Sequence, residues 1–305
     1  PKRFDKILNI NTCHINDKRF NDIISIAKDI SNNEKMVAYN VVKHTGFLRY
    51  LVIRSGVHTK ELMINIVTSG FNKKAMKSFS DKILKEIPEI TSIVNTINAE
   101  KNNTAKGHTK IIYGKSYIHE KIGEHKFKIS PNSFFQTNSY QVKTLYEYII
   151  KAANFNKDEI VYDLYCGTGT IAIYISKFVK RVYGIEIIEE AIEDAKINAK
   201  FNNIKNAHFY AGDIKDFFNK KNDTIEKPDT IIIDPPRPGL HTQVLQDIIN
   251  FKPSKIVYVS CNPSTQARDI KLFNENNFYI SDMQPIDMFP HTPHIECIVT
   301  LKNKD

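Results

Sequence analysis

The chain has 305 residues, and 41% of them are hydrophobic, which is enough for a sizeable core in two domains or one large one. Lys and Arg number 43 against 34 Asp and Glu, and the net charge of +9 favours a polyanionic partner, although a solvated lysine-rich surface explains it equally well. No apolar run approaches the roughly 20 residues that span a bilayer, and no signal peptide opens the chain. We therefore expect a cytoplasmic protein without a membrane or an obligate protein partner.

Four cysteines occur, and none of them forms a C-x-x-C pair: Cys13, Cys166, Cys261 and Cys297. This pattern does not indicate a disulfide framework, and a reducing compartment is the simplest context. The chain begins at Pro1 and not at a methionine. We expect that an N-terminal part of the protein is missing from it.

Residues 1–130 are predicted to form a mixed α/β domain. Short runs rich in β-branched and aromatic residues indicate strands at 47–56, 61–70, 90–99 and 110–123. Apolar residues at helical spacing predict helices at 19–30 and 72–86.

Residues 131–305 alternate between helices and strands, which predicts a doubly wound, mostly parallel sheet. The runs at 229–233 and 255–260 are apolar at nearly every position, as in strands buried on both faces. The predicted helices are 138–154, 170–179, 188–202, 242–250 and 265–276, and the predicted strands are 160–164, 181–186, 207–211, 229–233, 255–260, 278–284 and 294–301. Ligands of such sheets bind at the carboxyl ends of the strands.

A glycine turn and two acids follow successive strands. The segment VYDLYCGTGTIAI turns at Gly167 and Gly169, where backbone can approach a ligand closely. Glu186 ends the second strand, where a carboxylate can take ribose hydroxyls, and Asp213 ends the third, near an adenine amine. The pattern lacks the third glycine of the dinucleotide fingerprint. It favours a nucleoside-containing cofactor, although acidic loops at strand ends are common.

The fourth and fifth strands end in chemically distinctive residues. Asp234 precedes two prolines, which make the backbone rigid at this point. Such a rigid surface suits a planar base and is typical of methyltransferases that act on nucleobases. Alternatively, the prolines simply terminate the strand. Cys261 follows an apolar strand and precedes Asn262-Pro263. A free cysteine is usually packing, but this place in the crevice favours a reactive thiol.

Five segments together carry a resemblance to a known family: SPNSFFQTN (130–138), DLYCGTGT (163–170), DPPRPG (234–239), VYVSCNPSTQARD (257–269) and DMFPHTPHIE (287–296). Residues 110–302 resemble the RNA uracil-5 methyltransferases, most closely the bacterial 23S rRNA branch. The resemblance implies a class I methyltransferase fold in 131–305, an RNA-binding role for 1–130, S-adenosylmethionine as cofactor, and RNA, 23S rRNA before tRNA, as substrate.

The resemblance also assigns roles to residues. Cys261 is expected to add to carbon 6 of the uracil, and Glu296 to remove the proton from carbon 5. The expected cofactor contacts are Gln136, Tyr165, Gly167, Thr170, Glu186, Asp213 and Asp234. Phe134 is expected to stack on the base, with Asp234 beside it, although a core aromatic is nearly as good an interpretation of Phe134. His291 and His294 are expected to be local structure, not metal ligands.

The chain departs from the family in one respect. Many members carry an RNA-binding β-barrel and a cysteine cluster for an iron–sulfur centre, and here Cys13 alone matches the last cluster ligand. Such a cluster takes four thiolates, so we do not expect this chain to hold one. Three other functions remain open: a nucleobase amino-methyltransferase, a cytosine-5 enzyme and a non-catalytic RNA-binding factor.

Overall fold

A computed structural model describes residues 8–221 and 225–304 of the chain. These residues divide into two compact units. The first unit contains the residues up to Glu120 and also Ile129–Asn132. The second unit contains Lys121–Lys128 and the residues from Ser133 onward. The segment Lys121–Lys128, which we expected in the first domain, thus belongs to the second. The reason is local: the backbone N–H of Lys126 donates to Oδ1 of Asn202, and Nδ2 of Asn202 donates back to the Lys126 carbonyl, both at 2.8 Å.

The first unit is a four-stranded sheet in the order β1-β2-β3-β4, with two helices on one face. Strands β2 and β3 are parallel and the other pairs are antiparallel. The elements are α1 (Lys18–Asn33), β1 (Leu48–Ser55), β2 (Leu62–Thr68), α2 (Lys73–Glu86), β3 (Ser92–Ile97) and β4 (His108–Gly114). Ile23 of α1 and Phe79 of α2 pack on Ile64 and Ile93 of the sheet, which explains why these positions are apolar.

The predicted strand 110–123 is wrong as a single element. Gly114 ends β4 at φ 68°, and a side chain there would meet the Thr91 carbonyl at 2.1 Å. The chain therefore turns and begins a new strand, β5 (Ile118–Ile122), which pairs with β6 (His125–Ile129), a strand that the sequence analysis missed.

The second unit contains a seven-stranded sheet in the order β12-β13-β11-β10-β7-β8-β9. Strands β7 to β11 are parallel, and β13 runs antiparallel to both of its neighbours. The doubly wound, mostly parallel prediction is therefore confirmed. The strands are β7 (Ile160–Leu164), β8 (Arg181–Glu186), β9 (Ala207–Ala211), β10 (Thr230–Ile233), β11 (Lys255–Ser260), β12 (Phe278–Ile286) and β13 (Glu296–Asn303). The helices are α3 (Ser139–Ala153), α4 (Thr170–Ile175), α5 (Glu189–Phe201), α6 (Ile214–Lys221), α7 (Thr242–Phe251) and α8 (Pro263–Glu275).

Strands β10 and β11 are buried at every position, as their unbroken apolar sequence predicted. The register between β11 and β13 pairs Ser260 with Cys297. Nε2 of Gln266 on α8 donates to the carbonyls of Tyr258 and Cys297 at 2.9 and 3.0 Å, which ties the helix to both strands. This corner of the sheet is thereby held rigidly.

Candidate active site

The turn after β7 places backbone in the left-handed region three times: Tyr165 at φ 64°, Gly167 at φ 53° and Gly169 at φ 77°. A side chain at Gly169 would lie 2.7 Å from the Phe209 ring, so this glycine allows α4 to pack closely. A side chain at Gly167 would meet nothing within 4 Å. Gly167 therefore leaves space for a ligand at the start of the helix, whereas Gly169 serves the core.

Glu186, at the end of β8, lies against this turn. Its carboxylate accepts the backbone N–H of Gly167 at 3.2 Å and that of Ile188 at 3.0 Å. The next two side chains, Ile187 and Ile188, are 66% and 40% exposed. A half-exposed carboxylate with an open apolar surface beside it suits a ribose and a flat ring, and the sequence analysis missed the two isoleucines.

A small pocket opens in front of the turn. Phe134, the predicted base contact, lines this pocket. Five predicted cofactor residues line it as well: Gln136, Tyr165, Gly167, Thr170 and Asp234. The Thr170 hydroxyl accepts a hydrogen bond from Tyr146 at 2.7 Å, so this threonine also ties α4 to α3. Phe134 is 68% exposed, which does not fit the alternative interpretation as a core aromatic.

Two predicted cofactor residues, Glu186 and Asp213, lie outside the lining of this pocket. Asp213 is exposed, and its Oδ1 accepts the backbone N–H of Lys215 at 3.0 Å. The carboxylate therefore supports the start of α6, a helix that the sequence analysis did not assign. Asp213 thus has a local capping role, and its contact with the cofactor stays a prediction.

Two carboxyl groups under the pocket have strongly raised pKa values. Burial, reinforced by Asp234 and Glu186, raises the pKa of Asp163 to about 8, and Oδ1 of Asp163 has no hydrogen-bond partner among the described residues. Burial likewise raises the pKa of Asp234 to about 7. Both groups can therefore carry a proton near neutral pH, and a protonated Asp234 could donate a hydrogen bond to a base.

Cys261 follows β11 directly and is half-buried at the start of α8. Burial raises the pKa of its thiol, and the charges of Glu296 and Asp234 raise it further. A hydrogen bond from Arg237 and its charge act in the opposite direction. The N-terminus of α8 also favours an anion there.

Glu296 begins β13 beside this thiol and is only 4% exposed. Burial, with a contribution from Asp234, raises the pKa of Glu296 to about 7, and Arg237 again opposes the rise. A carboxyl group with this pKa can accept a proton near neutral pH. The structure thus brings Cys261, Glu296 and Asp234 together at the carboxyl end of the sheet.

Arg237 is the functional candidate that sequence reasoning missed. Its backbone carbonyl accepts hydrogen bonds from Nδ2 of Asn262 at 3.0 Å and from the Thr265 hydroxyl at 3.1 Å, which holds the DPPR turn against the start of α8. The signal was present in the sequence, because the arginine comes three residues after Asp234. Only the packing of two distant segments reveals that it reaches Cys261.

The remaining predicted residues are His291, His294 and Cys13. His291 is exposed, and the His294 ring lies 3.4 Å from the Arg237 guanidinium. Cys13 is half-buried in the first unit, and its backbone N–H donates to Asn21. Among the described residues, no group of three His, Cys, Asp or Glu side chains could hold a metal ion, and no helix is long and apolar enough to cross a membrane.

Comparison with known proteins places the chain in a family. The model of the tRNA (uracil-5-)-methyltransferases matches residues 102–304. The chain belongs to this family. Two relatives are named as RNA methyltransferases. The one from Oceanobacillus iheyensis is 42% identical over 99% of this chain and 66% of the relative. The one from Chlorobaculum tepidum is 37% identical over 100% of this chain and 64% of the relative.

A solved structure of the tRNA (uracil-5-)-methyltransferase family resembles the whole chain. It is the Pyrococcus abyssi tRNA (uracil-54, C5)-methyltransferase in complex with S-adenosyl-L-homocysteine, with a TM-score of 0.81, 35% identity, and coverage of 98% of this chain and 71% of that one. The second unit therefore has the class I methyltransferase fold. The chain spans about two thirds of the length of the curated relatives it matches.

Proposed function

We propose that this chain transfers a methyl group from S-adenosylmethionine to carbon 5 of a uridine in RNA. The observation that carries the proposal is the grouping of Cys261, Glu296, Asp234 and Arg237 at one edge of three adjacent strands, β10, β11 and β13. This reaction needs a nucleophile, a base and a cation beside a pocket, and the group supplies them next to the pocket lined by Gln136, Tyr165 and Gly167. The family membership of the chain supports the same reaction.

The residues of the pocket fit this cofactor. Glu186 uses two backbone N–H groups and keeps lone pairs for ribose hydroxyls, and Gly167 leaves room for the chain of the ligand. Ile187 and Ile188 offer an apolar surface to the adenine. The bound cofactor supplies an electrophilic methyl group, and we assign its contacts to Gln136, Tyr165, Gly167 and Glu186, with Thr170 a weaker candidate.

The reaction begins at Cys261. Its thiolate adds to carbon 6 of the uracil, which breaks the double bond between carbons 5 and 6 and moves the electron pair into an enolate, so that carbon 5 becomes nucleophilic. After carbon 5 has accepted the methyl group, Glu296 removes the remaining proton from it. The electron pair restores the double bond and expels the Cys261 thiolate, and the protonated Glu296 then returns its proton to solvent.

Arg237 and Asp234 support these steps electrostatically. Arg237 stabilises the thiolate, whose charge is otherwise opposed by burial and by two carboxyl groups. The pKa of Asp234 is about 7, so both of its protonation states are accessible near neutral pH. The protonated carboxyl group can donate a hydrogen bond to a uracil oxygen, and the ionised carboxylate can accept one from the uracil N3–H. Phe134, exposed at the pocket, offers an aromatic face to the flipped base.

The RNA is proposed to be 23S rRNA, on the sequence motifs, with tRNA as the second candidate. The second candidate is supported by the solved relative, which is named as a tRNA enzyme and is 35% identical. The two can be separated by offering a 23S rRNA transcript and a tRNA pool in parallel with labelled cofactor, and mapping the labelled nucleotide. A label on the amino group of a base would indicate a nucleobase amino-methyltransferase instead. A label on carbon 5 of cytosine would indicate a cytosine-5 enzyme.

The mechanism is tested with RNA in which uridine is replaced by 5-fluorouridine. Fluorine cannot leave as a proton, so elimination fails, and a stable protein–RNA adduct is expected in the presence of cofactor. The adduct should disappear in Cys261→Ala and persist in Cys13→Ala, a matched change of a cysteine in the other unit. Bound RNA without any adduct in the unaltered protein would contradict covalent catalysis and favour a non-catalytic RNA-binding factor.

A further inference from the structure

The flank of α2 next to β4 carries lysine and aromatic side chains that the proposed reaction does not use. Helix α2 contacts β4, and Nζ of Lys110 on β4 lies 4.1 Å from the ring centroid of Phe71, just before the helix. We call this surface, formed by Phe71, Lys73, Lys77, His108 and Lys110, the α2–β4 strip. All five side chains are exposed, and Phe71 is 40% exposed.

The orientation of α2 follows from its contacts with α1. The Ser78 hydroxyl and Nζ of Lys82 both bind the Glu34 carboxylate, so positions 78 and 82 face α1. Residues of a helix are separated by 100°, which places Lys73 and Lys77 on the opposite flank. This is the flank that borders β4.

The strip is electrostatically uncompensated. Lys82, on the α1 side, is paired with Glu34, whereas Lys73, Lys77 and Lys110 make no ion pair with any residue that the structure describes. The next charged residue along this side of the helix is the acid Asp81, one turn after Lys77, and we take it as the boundary of the strip. Strand β4 is also an edge strand of its sheet.

We infer that the α2–β4 strip binds the sugar–phosphate backbone of a single-stranded stretch of the RNA substrate. This inference rests on the proposed function, which supplies the RNA. Unpaired lysines attract phosphates, and an exposed aromatic ring gives an unstacked base a surface. The row of lysines combined with Phe71 fits single-stranded nucleic acid better than an acidic protein, which has no bases to stack.

The test compares two triple variants of equal charge. One replaces Lys73, Lys77 and Lys110 by alanine, and the control replaces Lys28, Lys43 and Lys85, which are exposed lysines of the same unit outside the strip. RNA affinity is measured from low to high salt. The strip variant should lose about 2 from the slope of log K against log salt, since each lost single-strand phosphate contact removes about 0.7.

Kinetics separate binding from chemistry. The strip variant should raise KM for RNA and leave S-adenosylmethionine affinity and kcat at saturating RNA unchanged, because it does not touch the reacting groups. Phe71→Ala should raise KM and Phe71→Tyr should not, since tyrosine keeps the ring. Alanine is favoured in helices, and melting curves check that each variant is folded.

Equal effects of the two triple variants on affinity and salt slope would overturn the inference while leaving the proposed function intact. The proposed function fails separately if the unaltered protein methylates no RNA. Loss of kcat without a change in RNA affinity in the strip variant would also overturn the inference.

Discussion

Arg237 hydrogen-bonds to the thiol of Cys261, and its charge also acts on Glu296. One guanidinium therefore lowers the pKa of the candidate nucleophile and of the candidate base, both of which burial raises. The guanidinium can thus hold two neighbouring acids nearer to their ionised forms than their surroundings would allow.

Replacing Arg237 should slow the formation of the bond to carbon 6. Arg237→Ala removes the cation beside Cys261, so the pKa of the thiol should rise further, and kcat should fall by about 10²–10³, the usual cost of one preorganised electrostatic group. Arg237→Lys should retain part of the activity. The check is single-turnover methylation as a function of pH, and unchanged rates in Arg237→Ala would contradict this role.

Glu296→Gln should separate the two halves of the reaction. Glutamine cannot take the proton from carbon 5, so the adduct with ordinary uridine should accumulate while product falls at least 10²-fold. Denaturing gels with labelled RNA detect the adduct. The double variant Cys261→Ala with Glu296→Gln should form none, and full turnover by Glu296→Gln would assign the base elsewhere.

The rate should rise with pH through about 7. Glu296 must be ionised to act as a base, and its raised pKa of about 7 means that it is protonated, and inactive, below that pH. A further rise at alkaline pH is expected as the Cys261 thiol ionises, since its pKa is also raised. Adduct formation by Glu296→Gln should lose the contribution of Glu296 to the step near pH 7, keep any contribution of Asp234, whose pKa is also about 7, and keep the alkaline step. A rate that falls between pH 6 and 8 would contradict both assignments.

The two turn glycines should respond differently to alanine. Gly169→Ala places a methyl group 2.7 Å from Phe209 in addition to straining a positive φ, so we expect a loss of about 2–4 kcal/mol in unfolding free energy. Gly167→Ala adds strain alone, of about 1 kcal/mol, but fills space at the pocket. It should weaken cofactor binding more than stability. Denaturant unfolding and calorimetric titration measure the two effects.

Asp163 should make the protein less stable as the pH rises. Its pKa is raised from 3.8 to about 8 in the folded protein, so between these values the unfolded chain releases a proton that the folded chain retains. Unfolding free energy therefore falls with increasing pH in this window. Asp163→Asn removes that dependence, and its melting temperature relative to the unaltered protein should increase from pH 5 to pH 8. A constant difference would show that the carboxyl group is ionised in the folded state.

The sequence predicted the second unit well because β10 and β11 are unbroken apolar runs and the other strands alternate regularly with helices. The predicted strands include all seven of the large sheet. The prediction failed at β6 and α6, which are short and carry charged residues on their exposed sides, so that neither has a long repeating pattern. Gly114 interrupts what reads as one long strand, and only the approach of the Thr91 carbonyl explains why the chain must turn there.

The sequence motifs named Cys261 and Glu296 but did not reveal their electrostatic surroundings. The effect of Arg237 on both depends on the DPPR turn packing on α8, a contact between residues 25 or more positions apart. Asp213 shows a local role that the sequence did not reveal. Its position after a strand suggested a ligand, and its nearest use is the support of α6, whose presence the sequence analysis did not recognise.

The pairing of Ser260 with Cys297 puts Cys261 and Glu296 next to each other at the ends of adjacent antiparallel strands. Their spacing is thus a property of the hydrogen-bonded ladder and not of the exposed connection that precedes Glu296. Residues 291–295 could be lengthened or shortened in an engineered protein while the reacting pair stays in place. A slip of a single ladder step would instead turn Glu296 to the other side of the sheet and leave the thiol without its partner.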